Sequence, residues 1–401
     1  MVFMAVMSNN PSLVTYSLGI DIGRFTIKSV LLEQTPHGIS VRHVARVPTV
    51  HGSSNKGVIV AQKEVAAQIR KIIRQIDVPI RSASLAVPTE HVVVRWIDLP
   101  RMDAQSLQAA SRFEASRYLP YSTDDAEIVM IPAGQTTGAD DTPRMRALLA
   151  ASPRKVVRSR AEVLEMAGLD VNRIEIEPLA CMRAFGEANS SSSTLWRGQP
   201  LVHVHLGEES SSMCVVQDGQ LRFVHTISWG SLRLTQALAN SLNLSVDQVL
   251  KIKSSEGAFL DNDGVFSWGD QDGGFTTEVL VPEILRLRRE VQRLLNYYRS
   301  LFPERSYEGI LDRLTLSGGT ANLRGLTDLF SSAFQAGVSV LNPFQSFASH
   351  LPTASFAAVA GHSASFVIST GLALTDFSYI AATYQSPGDR PLEAVWRRKV
   401  A

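Results

Sequence analysis

In the stretch LGIDIGRFTIKSVLLE (18–33) an apolar run ends on Asp21, Gly23 follows two residues later, and a second apolar run begins near Thr26. This pattern is a strand, a tight turn and a second strand, with one carboxylate where the first strand ends. Gly23 lets backbone N–H groups approach a phosphate, Thr26 offers a hydroxyl, and Asp21 can hold Mg2+ through water, as that hard ion prefers. The plain alternative is a β-turn using Asp for turn chemistry. Arg24 and Phe25 are large for a loop that hugs phosphates, although a guanidinium pairs well with a phosphate oxygen.

Other chemistry-bearing residues point less far. His203 and His205 share one face of a strand at i, i+2, a spacing that suits a metal, but no third ligand is in view and the pair reads as buried. Cys181 and Cys214 are the two cysteines of the chain and read as buried thiols of a reducing compartment. The acidic, glycine-rich segment 261–274 fails the calcium-loop register and reads as a long exposed loop between helices. None of the nine histidines is committed by spacing to a nucleophilic triad.

The elements that must position these residues follow from composition and pattern. At 401 residues the chain is long enough for two or more domains, and 45% hydrophobic with 19% charged residues is a globular balance. A net charge of +1 supplies no basic excess for nucleic acid. The opening MVFMAVMSNN is too short for a signal-peptide core, and no apolar window reaches the roughly 18 residues of a membrane span. Segment 133–144 reads as a hairpin tip and 188–200 as a linker. An internal repeat is more informative: LVHVHLGEESSSMCVVQDGQLRFV (201–224) repeats the strand, glycine turn, strand, turn, strand order of the first meander. Helical pattern follows each copy, in QKEVAAQIRKIIRQI and SLRLTQALANSLN, so a duplicated α/β fold with a cleft between halves is expected. Between them, strands, a helix from an Asp103 N-cap to about Tyr118, and further strands read as an inserted subdomain.

Five segments in order then carry a resemblance: RFEASRYLPYSTDD (112–125), EVQRLLNYYRS (290–300), LSGGTANLRGL (316–326), LNPF (341–344) and TGLAL (370–374). The chain resembles, from about residue 17 to 376, the PilM family of actin-like proteins of type IV pilus assembly, related to FtsA and to the cytoplasmic part of GspL. The resemblance implies an actin-like fold of duplicated RNase H-type domains with an inserted small α+β subdomain. It divides the chain into a first half at 14–80, continued by 174–198 and 350–385, an insertion at 81–173, and a second half at 199–349 with a helical subdomain at 240–310. ATP or ADP with Mg2+ is implied in the cleft. The first phosphate hairpin would span 21–28, with Asp21, Gly23, Arg24, Phe25, Thr26 and Lys28, and the second 205–212, with Gly207. Gly318 and Gly319 would form the adenosine turn, with helix contacts from Lys253 and Glu290.

One position departs from the family. His205 stands where the family carries an Asp, and imidazole cannot replace a carboxylate beside Mg2+. Glu208 and Glu209 follow Gly207 but nothing in the spacing substitutes them. The bland readings are a solvated Lys253 and a Glu290 paired with Arg286 at i, i+4. The expectation is a cytoplasmic, peripheral scaffold that retains nucleotide binding at most. It would dock the short N-terminal tail of a PilN-like inner-membrane protein in a groove between the first half and 81–173, alongside other platform proteins. The alternatives are an active ATPase and an FtsA-like, self-associating filament protein. The tail RPLEAVWRRKVA (390–401) sets Leu392, Val395, Trp396 and Val400 at helical spacing beside Arg397, Arg398 and Lys399, a pattern of membrane-surface contact or of a frayed end.

Overall fold

Both meanders of the repeat form, and each grows into a five-stranded sheet of the same order. The computed structural model describes residues 15–377 apart from 36–37, 138–140, 189–199, 218–219, 271–272, 302–312, 348–354 and 356–358. The opening decapeptide, most of the 188–200 linker and the basic tail lie outside the described residues. The first half runs β1 (Thr15–Ile22), β2 (Thr26–Thr35), β3 (Gly38–Pro48), a short hairpin of β4 (Ser54–Asn55) and β5 (Val58–Ile59), α1 (Gln62–Ile73) and β6 (Ser82–Val87). An excursion follows: β7 (Val93–Pro100), α2 (Ala104–Ser116), β8 (Ala126–Thr137) and β9 (Pro143–Pro153). The chain then returns through α3 (Arg154–Ala167), β10 (Asp170–Ile176) and α4 (Glu177–Ala188).

The second half holds β11 (Leu201–Leu206), β12 (Ser211–Gln217), β13 (Gln220–Ile227), α5 (Leu232–Leu242) and α6 (Val246–Lys253). It continues with β14 (Phe259–Leu260), β15 (Phe266–Asp270), β16 (Gly273–Thr277), α7 (Val281–Ser300), β17 (Arg313–Ser317), α8 (Leu326–Phe334) and β18 (Gly337–Val340). Helix α9 (Val367–Ala373) crosses back onto the first half. The sheet orders are β10-β6-β1-β2-β3 and β13-β12-β11-β17-β18. In each, an antiparallel meander continues into two parallel strands, β6 and β10 or β17 and β18.

Strand alternation explains the layers. Leu18 and Ile20 of β1 pack on α1 and α3, while Gly19 faces the opposite side. A Cβ on Gly19 would lie 2.1 Å from the Ser369 carbonyl oxygen, so glycine lets α9 seat directly on the strand. Ser82–Val87 is largely buried on both faces and carries small and apolar residues throughout, with Ser84 fully buried among them.

That pairing moves two boundaries. β6 and β10 are integral strands of the first sheet and α3 packs in its core, so the inserted unit is narrower than 81–173 and comprises residues 93–153. Its sheet, β7-β9-β8, is covered on one face by α2, and its other face packs Ile131 and Leu148 against Cys214, Val216 and Leu221 of the second half. The 240–310 region is not purely helical. Within 261–274, where an exposed loop was expected, β15 and β16 pair with β14 as a small sheet. Trp268 and Phe275 pack with ring centroids 5.7 Å apart, and the Asp261 carboxylate accepts the Val265 amide at 2.9 Å as turn chemistry. The Asp103 cap forms as the sequence marks it, its carboxylate accepting the Ser106 amide at 2.7 Å, and at the start of α6 Ser245 with Gln248 forms a capping box.

Candidate functional site

The two hairpins face each other across a cavity of about 410 Å3. Asp21, Gly23, Arg24, Phe25, Thr26 and Lys28 line it from the first half, and Gly207, Lys253, Gly318 and Gly319 from the second. Glu290 is not among the lining residues. It lies on the charged flank of α7 and accepts from Arg293 at 2.8 Å, neither reaching the cleft nor pairing with Arg286. The buried stripe Leu287, Val291 and Leu294 turns that helix so that its Glu flank meets solvent.

In the first hairpin Asp21, 6% exposed, accepts from Lys28 across the strand pair at 2.5 Å. Gly23 serves the turn more than the phosphate: its amide donates to the Thr26 carbonyl at 3.1 Å. A Cβ there would lie 2.9 Å from that same oxygen. The Arg24 and Phe25 amides have no partner among the described residues, and these are the donors the loop offers an anion. The Arg24 side chain crosses the cleft to the Glu209 carboxylate, linking the tips of both hairpins.

The second hairpin carries His205 on its cavity side. Ser317 Oγ lies 2.9 Å from His205 Nδ1 and 2.9 Å from His203 Nε2. Burial pushes the pKa of His203 down to about 3, with His205 adding to the effect, and that of His205 down to about 3, with Lys28 adding, so both rings are neutral. Beside them Glu208 has a buried Oε1 without a hydrogen-bond partner, and burial pushes its carboxyl up to about 7 against the pull of Arg24 and Lys253. Lys253 is half-buried rather than solvated. It donates to Thr235 Oγ1 at 2.9 Å, and burial lowers its ammonium to about 8. Gly318 adopts φ +93, and a Cβ there would strike the Leu206 carbonyl oxygen at 2.2 Å, while Gly319 faces open space. Such a turn needs glycine at its first position.

Sequence reading missed the acidic floor of the cleft. Glu177 opens α4 and accepts from the Thr89 amide at 2.9 Å and hydroxyl at 2.8 Å. Burial, reinforced by Glu90 and Asp21, raises it to about 8, so at neutral pH it is a protonated acid. Glu90 accepts from Ser210 of the second hairpin at 2.5 Å. Arg160 is 3% exposed and spends its guanidinium on the carbonyls of Gly57, Val156 and Ala86. A Glu followed by Pro, where the strand passes into a small-residue helix in IEIEPLACM, was the available signal for Glu177.

Two sheets of duplicated order, closing on one cavity through paired glycine-turn hairpins, define an actin-like ATPase fold. The chain belongs to the type IV pilus assembly protein PilM family, whose sequence pattern matches residues 19–377. Among solved structures it is similar to a PilM–PilN type IV pilus biogenesis complex, with TM-score 0.73 and 20% identity, covering 89% of this chain and 97% of that one. Among curated relatives it is 22% identical to the cell division protein FtsA of Enterococcus faecalis over 358 residues, 81% of this chain and 78% of the relative. FtsA of Bacillus subtilis is likewise 22% identical over 376 residues, 84% and 80% of the two chains. No helix among the described residues is long and apolar enough to cross a membrane.

Proposed function

We propose that this protein is a scaffold of the type IV pilus assembly platform, on the cytoplasmic side of the inner membrane, docking the cytoplasmic N-terminal segment of a PilN-like protein. The family match over 19–377 is the observation that carries this reading. The inserted unit is the dock: β7 and β8 are the outer strands of its sheet, and on α2 Phe113 is 71% exposed. An outer strand offers backbone pairing and an exposed aromatic offers an anchor. A peptide of about a dozen residues from the partner's N-terminus is expected to bind with roughly micromolar affinity. Phe113→Ala should weaken it at least about tenfold. Calorimetry showing no heat with the wild type, or undiminished binding by the variant, would sink this dock. Self-association in the manner of a filament is the alternative, and sedimentation of the full chain with nucleotide separates it from peptide docking.

The cleft residues fit a nucleotide with Mg2+. The cavity falls within the roughly 300–1,000 Å3 of small-molecule sites. The free amides of Arg24 and Phe25 and the second hairpin would hold the phosphates, the Gly318–Gly319 turn the nucleoside, and Asp21 the ion through water. The bound ion would neutralise phosphate charge. Three groups make this affinity pH-dependent. Glu177 gains a negative charge as pH rises through about 8. As pH rises through about 7 Glu208 gains a negative charge, and as it rises through about 8 Lys253 loses its positive one. All of these changes oppose a polyphosphate. With about 1.4 kcal/mol corresponding to tenfold in Kd, ATP–Mg affinity is expected to fall at least about tenfold from about pH 6 to pH 9. Lys253→Met should flatten the profile; a flat wild-type profile speaks against this placement of the phosphates.

Turnover is not part of the proposal. His205 supplies no carboxylate, and the Glu177 carboxyl is protonated at neutral pH, so no described group at these positions is ready to take a proton from water. Hydrolysis should run far below the usual enzyme scale of about 1 s⁻¹.

A further inference from the structure

Beneath the nucleotide cleft lies a polar cluster that the preceding reading leaves unused. Helix α4 of the first half brings Cys181, and β11 of the second half brings His203 and His205; one ligand atom from each lies within 4.8 Å of the others. The three side chains are 1%, 1% and 8% exposed. The histidines share a face because strand side chains alternate. Cys181 reaches them because α4 packs along the seam between the halves, with Ala180, Ala184 and Phe185 in the same buried layer.

Hydrogen bonding inside the cluster is incomplete. Ser317 Oγ engages one nitrogen of each ring, at 2.9 Å in both cases, so the second nitrogen of each is left over. For His203 that atom is Nδ1, which is buried without a partner. A buried ring nitrogen is costly to leave unpaired, and a metal ion satisfies it. Phe185 packs 5.6 Å from the His203 ring and closes the apolar side.

We propose that Cys181, His203 and His205 form a binding site for one zinc-class divalent transition-metal ion, clamped between the two halves of the chain. The donor set is the argument for the class. One thiolate and two imidazoles suit Zn2+, whose sites are tetrahedral with N and S ligands, and they do not suit Mg2+ or Ca2+, which take oxygen. Three protein ligands leave a fourth position for water, and Ser317 acts as the outer hydrogen-bond partner that orients the rings. Coordination displaces the thiol proton of Cys181 to solvent, leaving one net positive charge on the centre. Asp21 and Glu175 are the carboxylates whose field reaches Cys181 and offsets that charge. Because the ligands come from both halves, the bound ion opposes opening of the cleft.

The test uses the full chain, stripped with chelator and kept reduced, with Co2+ as the probe metal. The expected result is one Co2+ per chain with a thiolate-to-cobalt charge-transfer band, displaced by Zn2+ and untouched by Mg2+. Cys181→Ser and, independently, His203→Gln should lose the band, while Cys214→Ser, whose thiol is buried outside the trio, should keep it. Zn2+ should also raise the Tm of the wild type and of Cys214→Ser. A wild-type protein without the band, or a band that survives either ligand variant, overturns the site. Loss of the band in Cys214→Ser overturns the three-ligand set. Should Cys181→Ser fail to fold, the wild-type titration and His203→Gln still decide.

Discussion

On the proposed nucleotide site, ATP–Mg is expected to raise the Tm of the wild-type chain, and Asp21→Ala is expected to erase that rise. A ligand at a hundredfold excess over its Kd stabilises by about 2.7 kcal/mol, and that whole increment is at stake. Asp21 is buried at the base of the first hairpin, lines the cavity and is held by Lys28 at 2.5 Å. Without it no carboxylate of that hairpin remains to hold Mg2+ through water, and the Lys28 ammonium has lost its partner. The variant is also less stable without ligand, so the informative quantity is the difference with and without nucleotide in each protein. Asp21→Asn, which keeps the shape and removes the charge, should lose the increment too. His205→Asp should keep or enlarge it, since it places a carboxylate near Lys28. An undiminished increment in Asp21→Ala removes the ion from this hairpin. Steady phosphate release by the wild type that vanishes in Asp21→Ala would restore the ATPase.

Arg183→Met is expected to cost about 3–5 kcal/mol of unfolding free energy, read as a lower urea midpoint at unchanged slope. Arg183 pairs with Glu175 through two parallel hydrogen bonds, both 2.8 Å, and also donates to the Gly371 carbonyl and to Thr375 Oγ1 at 3.1 Å. One guanidinium on α4 thus ties β10 to α9. Methionine fills much of the volume but leaves Glu175, 1% exposed, as an unpaired buried charge. The double variant Arg183→Met, Glu175→Met should regain a large part of the loss, because removing both charges also removes their desolvation cost. A loss below about 1 kcal/mol for the single variant would mean that water or a rearranged side chain takes over the carboxylate. The same change should weaken nucleotide binding, because α4 carries Glu177 at the cleft.

Several features were legible because they are local. The glycine-turn hairpins and the Asp103 cap each depend on residues a few positions apart. The 261–274 segment misled because Asp and Gly signal turns, whereas its short strands exist through cross-strand partners such as Trp268 and Phe275. The 81–173 boundary misled because contiguity in sequence hides that β6 inserts beside β1. Glu290 misled because a family resemblance carries over a position in α7 but not which flank of that helix meets the cleft.

The duplication of the two meanders, and with it a duplicated α/β fold with a cleft, is written in apolar period and glycine placement, which act over a handful of bonds; the family is legible only through the resemblance of five ordered segments. The composition of the cleft is not. Glu177, Glu208 and Lys253 acquire their protonation states from burial, and burial is a property of how the halves close. The trio of Cys181, His203 and His205 shows the limit most plainly. The two histidines are visible as an i, i+2 pair, but their thiol neighbour comes from a helix of the opposite half. Packing of α4 against β11 and β12 makes them neighbours, and no spacing along the chain encodes that distance.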